Sequence, residues 1–428
     1  MFFSYLCQLI WKKEIMRKNN LIFSLSIIGI LYFIFGFVTW LNSVLIPFLK
    51  LACELNDSQA YLVTFAFYIS YFVMAIPSSF ILKKTGFAKG MALGLIIMAI
   101  GSLVFIPAAN VRDYSVFLIG LFLQGTGLAL LQTASNPYVT ILGPIESAAK
   151  RMSIMGLFNK IAGMIGIFWL SKVLFSDINS ITNNIDLLSG GEKINSLNLL
   201  SQRLITPYIA ISIVLVLLAI MILLAKLPKI ETTKEETQAN KKGIFSYTYL
   251  WLGVIALFFY VGAEVIAIDT LGLYGQEQGI DKSISSSLGT FSLIAMTIGY
   301  LLGIALVPKR ISQSKALTLS ALLGIIFTLL ALISSGVVSV VFIILLSFAN
   351  ALIWPGIWPL ALDKLGSHTA FASALLIMAI AGGAVMPLVY GYIADLIDNR
   401  QIPYFILIPI YLIIGYYSIW GYKIGSKK

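Results

Sequence analysis

Four charged residues stand inside otherwise apolar stretches of this 428-residue chain: Lys160, Lys172, Glu264 and Asp269. If those stretches lie in a bilayer, each charge costs at least about 2.5–3.5 kcal/mol and demands a partner, a wet cavity or a route to the surface. Lys172 sits near one end of its stretch and can reach water along its aliphatic stem. Asp269 is read in the same way, as an outer residue within reach of water. Lys160 and Glu264 lie closer to mid-depth and have no such cheap route. Groups of that kind carry protons or neutralise one another, so Glu264 is expected to be a proton carrier or the permanent counter-ion of Lys160. The carrier role is placed first, an uncoupled path second and the pair third, because the distance between the two stretches is invisible in sequence.

A second set is neutral and polar. Asn159 and Lys160 share a stripe with Gly156 and Gly163, at spacings of three, four and seven. Gln132 and Asn136 are one helical turn apart, and Asn42 and Ser43 precede Pro47. Asn350, Trp354 and Trp358 recur every four residues, with Pro355 and Pro359 interrupting. Any one amide is explained by a hydrogen bond between helices, worth under about 1–2 kcal/mol. The whole set, drawn from both halves of the chain, is better explained by a polar central cavity. Amides offer hydroxyls both donors and an acceptor, and an indole face covers the apolar face of a sugar ring. A neutral polyhydroxylated solute fits that chemistry better than an anion or a lipid. Cys7, Cys53 and the single His368, read as a solvated loop residue, cannot make a disulfide framework or a zinc site. No metal and no cofactor is expected, beyond a coupling proton or sodium ion.

The elements that must hold these groups are membrane-spanning helices. The chain is 59% hydrophobic and 11% charged, less than half the charged share of a soluble domain, about a quarter. That excludes a soluble enzyme, a nucleic-acid-binding domain and a disordered chain. At about 20 apolar residues per span, there are twelve candidates: 21–49, 58–82, 91–109, 114–142, 153–175, 207–227, 246–276, 284–308, 316–334, 337–362, 371–394 and 403–421. Residues 176–206 read as a polar link, and 228–243 as a charged linker. The chain thus divides into an N-terminal segment (1–20), a six-helix half (21–227), the linker (228–243), a second six-helix half (244–422) and a tail (423–428). Six spans, a linker and six more is the layout of a duplicated transporter. The fold class is an all-α membrane protein of twelve transmembrane helices.

Lys and Arg orient it, since cytoplasmic loops carry their excess. With both termini inside, 21 of the 29 basic residues fall on the cytoplasmic side and 6 on the other, with Lys160 and Lys172 inside a span. The opening MFFSYLCQLIWKK has its apolar run before the basic residues, so it is not expected to be a cleavable signal peptide. Met16 offers a simpler start, which leaves residues 1–15 as either untranslated or an interfacial segment.

Several stretches resemble one family. FGFVTWLNSVLIPFLK (the 36–50 region), LQTASNPYVTILGP (131–144), SAAKRMSIMGLFNKIAG (147–163), FYVGAEVIAIDTLGLYG (259–275), NALIWPGIWPLALDKLG (350–366) and SALLIMAIAGGAVMPLVYG (373–391) resemble, in order, signatures of the fucose–glucose/galactose–hexose symporters, a branch of the major facilitator superfamily. The tight basic turns LKKTGFAKG and VPKRISQSK look like worn copies of that superfamily's recurrent basic loop. The resemblance implies a twelve-helix symporter that moves a monosaccharide inward with a cation by alternating access. Proton-coupled fucose members carry an acid where Ser43 stands and Glu where Gln132 stands. Gln132 points to the glucose/galactose branch, whereas Ser43 is unusual in either. Members tend to have Gln at Gly156 and a small residue at Lys160. Asn42, Asn136, Asn159 and Trp354 are retained.

The expected function is secondary-active transport of a glucose- or galactose-like hexose in the bacterial inner membrane, with both termini cytoplasmic. Asn42, Gln132, Asn136, Asn159 and Asn350 are expected to bind hydroxyls and Trp354 to stack on the ring, with Glu264, Lys160 and Asp269 in coupling. The lipid bilayer and the sugar are the expected partners, with no nucleic acid and a monomeric state. An uncoupled facilitator, or transport of fucose or an amino sugar, is the alternative; a non-transporting sugar sensor, which would be expected to carry a long cytoplasmic tail or domain, ranks last. A membrane-embedded sugar transferase would need clustered acids for a metal. Glu264 and Asp269 are five residues apart, about 140° around a helix, and do not pair on one face. The protein is not expected to be an enzyme.

Overall fold

The computed structural model describes residues 26–141, 148–178, 188, 190–225, 243–307, 310–363, 365 and 368–425. The N-terminal segment 1–20, the linker except Gly243 and the last three residues of the tail lie outside the described residues, as do 179–187 and 189 of the 176–206 link. Among the described residues there is no strand, and twelve helices are long and apolar enough to cross a membrane. They are α1 (Ser26–Ala52), α2 (Asp57–Thr85), α3 (Phe87–Val111), α4 (Tyr114–Ile141), α5 (Ala148–Phe175), α6 (Gly190–Leu224), α7 (Thr248–Asp269), α8 (Lys282–Leu306), α9 (Gln313–Ile333), α10 (Gly336–Leu362), α11 (Phe371–Ile397) and α12 (Ile402–Lys423). All twelve candidate spans are present.

These helices form because lipid offers the long runs of Leu, Ile, Val, Phe and Ala no hydrogen-bond partner, so their backbone N–H and C=O groups must be satisfied within each segment. Their outward faces are apolar: Ile100, Leu217 and Leu224 are exposed side chains that water would penalise and lipid accepts. Inside, glycines bring helices close. A Cβ on Gly36 of α1 would overlap the backbone carbonyl of Asn159 in α5, and one on Gly382 of α11 would overlap that of Phe258 in α7. Small residues at such crossings let backbones touch.

The helices break where the functional side chains sit. Helix α1 turns at Leu41, and the Ser43 hydroxyl donates to the Trp40 carbonyl across that turn (2.8 Å). Helix α10 is interrupted at residues 351–352, one turn before Pro355. Proline has no N–H for the carbonyl four residues back and its ring crowds that carbonyl, so the break precedes it. Helix α7 gives way at Thr270 to a short helix, Leu271–Glu277.

One expectation is corrected. The polar link 176–206 contains a helix, Gly190–Gln202, which runs on into the apolar part of α6. Its polar sequence hides it from a hydropathy scan. Lys193 ties it to the α1–α2 loop through Glu54 (2.7 Å), and this hydrogen bond holds the Glu54 carboxyl below its ordinary value.

Two long contacts join the halves. Helix α5 lies along α8: Gly156 faces Tyr300, Gly163 faces Leu293, and Ser171 meets the Ser286 hydroxyl at 2.5 Å. Helix α2 lies along α11, with Tyr68 against Gly383 and Tyr61 against Gly391.

Candidate functional site

At mid-depth the polar groups converge on the boundary between halves. Lys160 Nζ of α5 lies 2.8 Å from Glu264 Oε1 of α7. The two residues are 6% and 8% exposed, so the ion pair is made almost without water. The ammonium also stands 4.3 Å from the ring centroid of Trp40, a cation–π contact that offsets some lost hydration. The Trp40 indole N–H donates to Asn159 Oδ1 (3.2 Å), leaving the Asn159 amide N–H groups for another acceptor. Trp40, Asn159, Lys160 and Glu264 thus form one connected set across α1, α5 and α7.

An aromatic wall continues it in the second half. Trp354 stacks on Trp358 with centroids 5.2 Å apart, and lies 6.5 Å from Tyr260, one turn before Glu264. Asn350 Oδ1 accepts from the Tyr411 hydroxyl (2.9 Å). Among the described residues its amide nitrogen has no hydrogen-bond partner, and nor has that of Asn42, although both residues are buried. Unspent donors at such depth are costly unless a ligand or water takes them.

The other predicted residues are placed as follows. Gln132 Nε2 donates to the Tyr71 hydroxyl of α2 (3.1 Å), and Asn136 Oδ1 accepts from the Tyr32 hydroxyl of α1. Both bonds stay inside the first half. Lys172 is exposed and lies over Phe168, as a snorkelling residue would. Asp269 departs from expectation: it is 0% exposed, because the outer part of α7 is covered by neighbouring helices instead of water. The pairing of Lys160 with Glu264 also answers the question that was invisible in sequence, since the packing of α5 on α8 and of α2 on α11 brings the halves together.

A second cluster was missed. At the end of the bundle away from Ser26 and Lys423, Arg400 of the α11–α12 loop binds both oxygens of Asp57 in α2 (2.5 and 2.9 Å). Its third guanidinium nitrogen and its backbone N–H reach Glu277. Lys50 pairs with the same Asp57. Asp395 of α11 accepts from the backbone N–H groups of Asp57 and Ser58 (2.9 and 2.7 Å). The Tyr390 hydroxyl donates to the Arg400 carbonyl (2.5 Å), and its ring packs edge-on against Tyr61. This network locks the two halves together. Its charged members lie outside the predicted spans, and its hydrogen bonds across the halves join residues 337 to 343 apart.

Twelve helices in two halves, with paired charges buried between them and an ionic lock at one end, define a membrane transporter. The chain matches the Major Facilitator Superfamily over residues 28–385, and it belongs to that superfamily. The glucose/galactose transporter of Brucella abortus (strain 2308) is 32% identical over 414 residues, 96% of this chain and 97% of that protein. The L-fucose-proton symporter of Escherichia coli (strain K12) is 29% identical over 408 residues, 93% of this chain and 92% of that one. Among solved structures, the superfamily transporter FucP in the outward conformation aligns with a TM-score of 0.72 at 28% identity, covering 96% of this chain and 100% of that one.

Proposed function

We propose that this protein imports a monosaccharide, a hexose of the glucose/galactose class, together with a cation. The observation that carries the reading is the mid-depth set itself: unspent amide donors on Asn42 and Asn350, the Asn159 amide beside Trp40, and the Trp354–Trp358 stack. Amide donors and indole faces suit a ring with hydroxyls at its edge and C–H groups on its face. Relatives named for glucose, galactose and L-fucose transport support the same class.

Residues 21–227 and 244–422 act as the two halves, joined by the 228–243 linker, in a monomer. Both termini lie in the cytoplasm of a bacterium and the protein in its inner membrane, with the Arg400 lock on the outer face; the excess of Lys and Arg on the side of the termini supports this orientation. The conformation is therefore closed to the outside. Transport requires the lock to part, sugar to enter between the amides, and the halves to close over it. Glu264 serves as counter-ion of Lys160, bridging the halves beneath the site.

The test is counterflow in proteoliposomes with a panel of radiolabelled sugars, followed by uptake under separately imposed proton and sodium gradients. Saturable exchange of a hexose is expected. Absence of exchange for every hexose, deoxyhexose and amino sugar overturns the reading.

A further inference from the structure

Asp269 stands apart from the Lys160–Glu264 pair. It is fully buried, and neither carboxyl oxygen has a hydrogen-bond partner among the described residues. It closes α7 where the helix gives way at Thr270, whose hydroxyl bonds the Ile266 carbonyl (2.7 Å) and the Tyr404 hydroxyl (2.6 Å). The titratable groups around it are Tyr61 and Tyr68 of α2, Glu264 of its own helix and, through Thr270, Tyr404 of α12. None is a cation. The cations to either side are engaged elsewhere: Lys160 with Glu264, and Arg400 with Asp57 and Glu277. The Tyr61 hydroxyl is also without a hydrogen-bond partner among the described residues, while its ring packs on Tyr390 beneath Arg400. Asp269 therefore lies one tyrosine below the lock that separates it from outside water.

An ionised carboxylate there would be a buried charge with no compensation, which proteins rarely tolerate. The neutral acid carries only the smaller penalty of a buried polar group. We propose that Asp269 is a proton-binding site of the transport cycle, loaded from outer water when the halves part at Tyr61 and the Arg400–Asp57 contact, and kept neutral when they close. The inference rests on the transport reading above. The step is simple: carboxylate and proton give carboxylic acid, and loss of that proton to the inner side restores the carboxylate. With sugar bound, the halves close over Asp269 readily only once its charge is gone, so proton and sugar enter together.

The test compares wild type with Asp269→Asn, a neutral mimic of the loaded acid, in proteoliposomes. Wild type is expected to draw protons in with sugar, read as alkalinisation outside, and to concentrate sugar under an inward proton gradient. Asp269→Asn is expected to retain counterflow, lose the alkalinisation and reach only equal sugar concentrations on both sides. If the Asn variant does not reach the membrane, Asp269→Glu keeps an acid one methylene further out and should shift the pH midpoint of coupled uptake. Coupled proton movement persisting in Asp269→Asn, an unshifted midpoint in Asp269→Glu, or wild-type uptake without proton movement overturns the proposal. Loss of all sugar counterflow in wild type would instead count against the transport reading.

Discussion

Lys160 and Glu264, 104 residues apart in sequence, meet at 2.8 Å across the boundary between the two halves. Each is buried, and each compensates the other. A pair of this kind contributes little net stability, because desolvation opposes the attraction, but removing one partner leaves the other as an uncompensated buried charge.

Glu264→Gln is therefore expected to destabilise the protein by about 3–5 kcal/mol, seen as a lower melting temperature in detergent and less protein in the membrane. Adding Lys160→Met removes the stranded ammonium and should restore most of the loss. A single Glu264→Gln variant as stable as wild type would show that the pair does not persist in the membrane.

Asn159 keeps its amide N–H groups available while its carbonyl accepts from Trp40. Asn159→Ala should weaken sugar binding by about 1–3 kcal/mol, roughly 5- to 150-fold, measured by titration calorimetry on purified protein. Unchanged affinity with normal expression would assign Asn159 to packing between α1 and α5.

Arg400 makes charge-assisted bonds to Asp57 and Glu277, each worth about 1.5–3 kcal/mol. Arg400→Ala should shift the population toward the outward-open state. With Cys7 and Cys53 replaced by Ser, a cysteine introduced by Val265→Cys, buried beside Gly383, reports the change. Its labelling by a membrane-impermeant maleimide from outside should rise at least about tenfold. Equal labelling rates in both backgrounds would remove the lock as a determinant of conformation.

Gly36 leaves room for the Asn159 backbone and for nothing else. Because the obstacle is a carbonyl and not a side-chain tip, Gly36→Ala must push α1 from α5. Overpacking of this sort costs about 1–3 kcal/mol or more. Thermostability should fall, and sugar affinity with it, since Trp40 rides on the displaced helix. A variant with wild-type melting temperature and affinity would contradict the close crossing.

Span number and helix order follow from sequence alone, because bilayer thickness imposes a length of apolar chain that local composition either meets or does not. Lys160 and Glu264 stand out for the same reason: a charge in an apolar run is conspicuous without knowing its partner. Lateral distance is another matter. It depends on which glycine faces which backbone, as at Gly36 and Asn159, and no local pattern records that. Hence the Arg400–Asp57 lock, built from charges that lie between the predicted spans, emerges only when both halves are assembled. Asp269 shows the same limit from the other side. Its place near the end of α7 suggests contact with water, but Tyr61 and Tyr68 come from a helix about 200 residues earlier. Their packing, decided by the tertiary structure, is what takes the carboxyl out of solvent.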